Sequence, residues 1–135
     1  MDNINRLIYL LIAIQNFCKD IHYNSKGDAF YSKHLLVDRV QENIADYLDS
    51  LKEVFFLPAD KEPLPSREYL TGAAALIPSI SGEDKTDFIS LSELLITALK
   101  AIENLEALTK GEENLIGAIA ENLQTSLGLV LRQVK

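Results

Sequence analysis

Apolar residues in this chain recur every three to four positions along four long stretches, and helix breakers separate those stretches. The first stretch spans about Asn3 to His22. Leu7, Ile8, Leu11, Ile14, Cys18 and Ile21 line one face of it, and Leu10, Ile12 and Phe17 widen that face. A helix this apolar is buried on most sides, within the fold or against another subunit. Asn24 to Gly27 is a turn, with Asp28 as the expected N-cap of a second helix that runs to about Leu57, where Pro58 stops it. Its apolar stripe is Val37, Val40, Ile44, Tyr47, Leu48, Leu51 and Phe55. Pro58 to Pro65 is a connection, and Ser66 to Leu76 is a short helix with Ser66 as its cap. Pro78, Ser79, Ser81 and Gly82 form a second breaker. A third long helix is expected from Glu83 to Thr109, with Phe88, Leu91, Leu95, Leu99, Ile102 and Leu105 inward and Gly111 ending it at a C′ position. The fourth runs from Glu112 to about Val134, with Leu115, Ile119, Leu123, Leu127 and Val130 inward. No stretch alternates with the period of a strand. The expected fold is all-α: one domain over residues 1–135, a four-helix bundle with a short helix in its middle connection.

Composition narrows the class without naming a function. Apolar residues make up 47% and charged residues 24% of 135 positions, which is enough for one proper core. The longest apolar run, Leu7 to Ile14, is followed by Gln15, Asn16 and Lys19 and is too short to span a bilayer, so a cytoplasmic protein is expected. A lone cysteine, Cys18, excludes an intramolecular disulfide and sits among apolar residues as a small hydrophobe. The net charge of −7 disfavours nucleic acid and favours cations. No Gly-x-Ser-x-Gly elbow and no phosphate-binding glycine loop is present.

The chemistry concentrates around two histidines. His22 and His34, the chain's full complement, stand twelve residues apart, and a file of carboxylates follows: Asp38, Glu42, Asp46, Asp49 and Glu53. On an ideal helix, His34 and these five fall within an arc of roughly 120°, while Arg39 and Lys52 lie off the line. A solvated acidic face accounts for the carboxylates alone; with two imidazoles added, the set matches the ligands of iron, manganese or zinc. Distance sharpens the reading. His34 and Asp49 are fifteen residues apart, roughly 22 Å along a helix, so they cannot hold one ion within one chain. A second copy lying antiparallel about a two-fold axis brings the partner's distal carboxylates to the histidines, giving two equivalent sites per dimer.

The pattern His22-Tyr23-Asn24, Gly27, Phe30, His34, Asp38, Asp49, Glu53 resembles, in residue type and spacing, the ferroxidase motif of the Dps proteins, the mini-ferritins of the ferritin-like superfamily. The resemblance extends over nearly the whole chain, including Pro65 and Glu68-Tyr69-Leu70 in the short helix. It implies a ferritin-like bundle whose halves are joined by a crossover. It also implies self-association through a two-fold dimer into a dodecameric shell. In that shell Fe(II) is bound between two-fold partners, oxidised by hydrogen peroxide or dioxygen and stored as a ferric mineral, an oxidoreductase activity that protects against oxidative stress. His22, with Asp49 and Glu53 of the partner, would hold the first iron; His34 and Asp38 would assist a second. Iron is the implied metal, with other divalent ions as alternatives. Larger ferritins fit less well, since they use Glu-x-x-His pairs and none occurs here.

Some positions depart from that family. Tyr23 stands where many relatives have tryptophan, and the chain has no tryptophan at all. No lysine-rich segment precedes the first helix, and the last residues, Arg132-Gln133-Val134-Lys135, hold two basic side chains, so DNA binding is not expected. For iron entry, Glu112, Glu113 and Glu121 are candidates for an acidic three-fold pore. An acidic first turn complementing the helix dipole explains Glu112 and Glu113 equally well. Tyr31, Tyr47 and Tyr69 are expected to be packing residues. Two rival functions stay open: a degenerate metal-binding dimer that stores no iron, and a helical adaptor whose acidic face binds a basic partner.

Overall fold

Helix periodicity translates into six helices in the computed structural model, which describes residues 1–135: α1 (Asp2–Asn24), α2 (Phe30–Gln41), α3 (Ile44–Phe56), α4 (Ser66–Ala74), α5 (Asp84–Glu103) and α6 (Lys110–Gln133). There is no strand, and the expected ferritin-like helical bundle is what the chain forms. Four rods make it: α1, α2 continued by α3, α5, and α6. The almost wholly apolar α1 is central. Ile4, Leu7, Ile8, Leu10, Leu11, Ala13, Ile14, Phe17, Cys18 and Ile21 are all buried there, and α1 packs against α2, α3, α4 and α5. No helix is long and apolar enough to cross a membrane.

Several boundaries differ from the sequence expectation. The second long helix is two helices, interrupted at Glu42 and Asn43. Glu42 N–H donates to Arg39 O (3.4 Å) in a tightened turn, and Asn43 sits at φ −99, ψ 1. Gln41, Glu42 and Asn43 are consecutive polar residues with nothing to bury, and asparagine prefers such local conformations to a helix interior. The file of carboxylates is therefore divided: His34 and Asp38 lie on α2, Asp46, Asp49 and Glu53 on α3, and exposed Glu42 at the joint.

The third long helix stops at Glu103, not Thr109, and Gly111 lies inside the first turn of α6 instead of closing α5. The cause is a capping box. Thr109 is extended (φ −69, ψ 167) and accepts from Glu112 N–H (3.2 Å), while Glu112 Oε1 accepts from Thr109 N–H (2.8 Å). A residue capping the next helix cannot remain in the previous one.

At the other starts, Asp28 does not cap α2. Ala29 occupies that position in the left-handed region, at φ 60. Pro65, not Ser66, precedes α4 and takes the N–H groups of Glu68 (2.9 Å) and Tyr69 (3.3 Å) on its carbonyl. Of the three tyrosines assigned to packing, Tyr69 is buried and Tyr47 half-buried, whereas Tyr31 is 70% exposed.

The short helix α4 is pinned onto α1 through its aromatic residue. Tyr69 O–H donates to Asn5 Oδ1 (2.7 Å) and accepts from Leu64 N–H (3.1 Å), and its ring meets Tyr9 edge-on at 5.9 Å. Gly72 permits that approach, because a Cβ there would lie 2.7 Å from Tyr9 Cε1. Alanine gains about 1 kcal/mol over glycine in a helix, but overpacking costs about 1–3 kcal/mol. Gly72→Ala is therefore expected to lower stability by about 1 kcal/mol, read as a lower urea midpoint; an unchanged or raised midpoint would show that Tyr9 yields freely.

Candidate metal centre

The C-terminal turn of α1 and the first three turns of α2 face each other across the Ser25–Ala29 turn. This places His22, His34 and Asp38 together, with one potential ligand atom from each within 4.8 Å of the others. The imidazole rings lie 3.5 Å apart between centroids, tilted by 30°. His34 Nδ1–H donates to the backbone carbonyl of His22 (3.3 Å), and since a carbonyl can only accept, this bond leaves the Nε2 lone pair of His34 free.

His22 is in the opposite condition. Its Nδ1 is shut off from solvent and has no hydrogen-bond partner. Asp38 Oδ1 stands 2.9 Å away, close enough for an ion pair but without the alignment of a hydrogen bond. An unsatisfied buried nitrogen costs about 1–3 kcal/mol. Nitrogen and carboxylate oxygen in contact, with no aligned proton between them, are a donor set that a cation satisfies.

Asp49 and Glu53 stand outside this cluster, on the exposed side of α3 one turn apart. The hydrogen bond and charge of Asp49 hold the Glu53 carboxyl above its ordinary range. A carboxylate whose proton affinity is raised by a neighbouring carboxylate is stabilised when a cation takes the proton's place. Within one chain, then, the structure joins His22, His34 and Asp38 and leaves Asp49 and Glu53 as a separate pair, while Glu42 and Asp46 are exposed and outside both groups.

At the start of α6, the Glu112 carboxylate is engaged in the capping box. Glu113 and Glu121 share one face of α6 with Lys110, Asn114, Gly117 and Ala118, along an open groove.

Aromatic rings surround the histidines. Tyr23 packs edge-on to His22 (4.9 Å), and Phe30 (5.1 Å) and Tyr31 (6.4 Å) flank His34. Tyr23 and Tyr31 are nevertheless 80% and 70% exposed, and Leu35 nearby is 48% exposed.

Beneath the site, one turn before His22, Cys18 is fully buried; burial and then the nearby Asp38 charge push its thiol far above the ordinary range. Only a thiolate attacks peroxide or a disulfide readily. Native protein is therefore expected to show no thiol reactive to Ellman's reagent and no loss of thiol after peroxide, with one thiol appearing on denaturation; rapid labelling of the native protein would contradict this.

Sequence spacing found every member of the histidine cluster. It missed the bonds beside that cluster from Ser25 and Lys33 to Asp84, which join positions 51 to 59 residues apart. No local pattern signals contacts of that separation.

No protein-family model matches this chain, and no curated protein sequence matches it significantly. Its fold does match solved structures. It is similar to a Dps of Mycobacterium smegmatis in a tetragonal crystal form, with a TM-score of 0.80 at 19% identity over 96% of this chain and 81% of that one. It is similar also to a mutant of Mycobacterium smegmatis Dps1, with a TM-score of 0.77 at 16% identity over 99% of this chain and 93% of the other. The likeness is one of architecture, carried by helix order and packing rather than by sequence identity, and the chain is a protein of Dps-like ferritin fold.

Proposed function

We propose that this protein is an iron-oxidising and iron-storing mini-ferritin. The observation that carries this reading is the contact of His22, His34 and Asp38, in which a buried imidazole nitrogen lacks any hydrogen-bond partner and faces a carboxylate. Fe(II) is the substrate. His22 with Asp49 and Glu53 of the two-fold partner hold one iron, and His34 and Asp38 assist a second. Neutral imidazole suits Fe(II), and carboxylates suit the harder Fe(III) product. Two Fe(II) ions deliver two electrons to one hydrogen peroxide; its O–O bond breaks, two waters are taken up, two ferric oxyhydroxide units form and four protons leave. Pairwise transfer releases no hydroxyl radical. Dioxygen is the alternative oxidant.

Two features support a site completed by a second copy. The paired carboxylates on α3 are exposed and stand apart from the histidines in one chain. Tyr23, Tyr31 and Leu35 leave an apolar collar around the histidines that a partner would cover. Assembly of such dimers into a shell of twelve, with Glu113 and Glu121 lining an iron entry, is part of the same proposal, as are a cytoplasmic setting and the absence of DNA binding.

The test is anaerobic Fe(II) loading, addition of peroxide, and size exclusion with protein and iron detected together. Iron eluting with a particle near twelve subunits is the expected result. Protein eluting as an iron-free dimer overturns the storage function.

A further inference from the structure

His22 and His34 meet across the turn between α1 and α2. Gly27 (φ 80) and Ala29 (φ 60) are both left-handed, and no side chain caps the start of α2. Besides the bond from His34 Nδ1–H to the His22 carbonyl, the first residue of α5 spans the turn. Asp84 Oδ1 accepts from Ser25 Oγ–H (3.0 Å), and Asp84 Oδ2 accepts from the Lys33 ammonium (2.7 Å). Ser25 is the C-cap of α1, three residues after His22, with its own N–H on Ile21 O (2.9 Å). Lys33 directly precedes His34. Both charged side chains are only 18% exposed, so the pair is shielded from solvent and stronger than a surface ion pair.

The base of this clamp is itself fixed. One turn further on, Asp87 is buried and accepts from Ser81 N–H (2.9 Å), Ser81 Oγ–H (2.8 Å) and Gly82 N–H (3.1 Å). Glu83 caps α5 by accepting from Lys85 N–H (3.1 Å) and Thr86 N–H (3.0 Å).

We propose that Asp84 is a positioning residue of the metal centre: through Ser25 and Lys33 it holds the end of α1 and the first turn of α2 at the separation that stacks His22 on His34. The inference rests on the reading of those histidines as iron ligands and concerns what keeps them in place. Asp84 makes no contact with either ring; it acts through the two backbone segments that carry them.

Two histidines in the whole chain make the test direct. In metal-free protein at fixed pH, the two imidazole Cε1–Hε1 signals are assigned with His22→Gln, and the nuclear Overhauser effect between the rings reports their stacking. Co(II) affinity, read from visible absorption, reports the site as a metal centre. Lys33→Met keeps the apolar stem and deletes one arm, Asp84→Asn weakens both arms, and Lys33→Arg preserves the pair.

Lys33→Met and Asp84→Asn, with parental far-ultraviolet dichroism, are expected to lose the inter-ring effect and to bind Co(II) about 10-fold more weakly; Lys33→Arg is expected to retain both. A merely structural ion pair would leave ring stacking and Co(II) affinity at parental values, and that result overturns the proposal without touching the proposed function. A parent protein with stacked rings that neither binds Co(II) nor deposits iron overturns the proposed function instead, while the ring signals still decide the clamp. Should Asp84→Asn fail to fold, Ser25→Ala deletes the Oδ1 arm alone and is read the same way.

Discussion

Mixed dimers of His22→Ala and Glu53→Ala subunits are expected to regain iron oxidation that neither variant shows alone. The histidine cluster and the Asp49–Glu53 pair stand apart in one chain. If a two-fold partner brings them together, each dimer carries two sites, each drawing His22 from one subunit and Glu53 from the other. In a mixed dimer both defects fall in one site and the other site is intact. Random association makes about half the dimers mixed, so about a quarter of parental sites return. Each variant alone is expected to lose at least about 100-fold in rate, since even residues that only support metal ligands cost 10- to 100-fold when removed. Both should assemble normally, because Glu53 is exposed and His22 lies at the rim of the core. The measurement is stopped-flow formation of the ferric product at low iron, after the variants are refolded separately and together. A mixture as inactive as its parents would place the whole site within one chain, and a fast Glu53→Ala parent would remove the distal carboxylates from the site.

Phe17→Ala is expected to give the largest loss of stability among single core truncations. Phe17 is fully buried in α1, the helix that packs against α2, α3, α4 and α5. Removing a buried phenylalanine costs about 4 kcal/mol. Total stability of a domain is about 5–15 kcal/mol, so much of the margin is lost. With a urea slope of about 2 kcal/mol per molar, the unfolding midpoint should fall by about 2 M. Phe17→Leu, which refills most of the volume, should cost less than about 1.5 kcal/mol. A Phe17→Ala midpoint within about 0.3 M of the parent, on the same slope, would mean that the bundle relaxes around α1 and that its core is not close-packed there.

Much of this architecture was legible because it rests on short-range periodicity. The inward stripe of α1, from Leu7 to Ile21, is buried as its spacing requires, and Phe88, Leu91, Leu95, Ile119, Leu123 and Val130 occupy the core on α5 and α6. The boundaries that differ from the periodicity turn on backbone bonds between neighbours. Thr109 and Glu112 form a capping box whose spacing is visible in the sequence, and it outweighs Gly111 as a stop signal. The break at Glu42 and Asn43 follows from three polar residues in a row, which the apolar stripe on either side conceals.

The histidine cluster was legible for a related reason. His22, His34 and Asp38 sit at spacings that a helix, a short turn and another helix bring together, so local geometry alone puts them on one spot. The sequence by itself determined the helical class, the apolar faces, the acidic charge and the candidate donors, because each depends on residue type and on periods of a few positions. Only the tertiary structure decided that His22 Nδ1 is buried without a partner and that Asp84 reaches back to Ser25 and Lys33. Those facts arise from contacts between elements far apart in the chain, set by how the rods pack, and packing leaves no periodic trace in the order of residues.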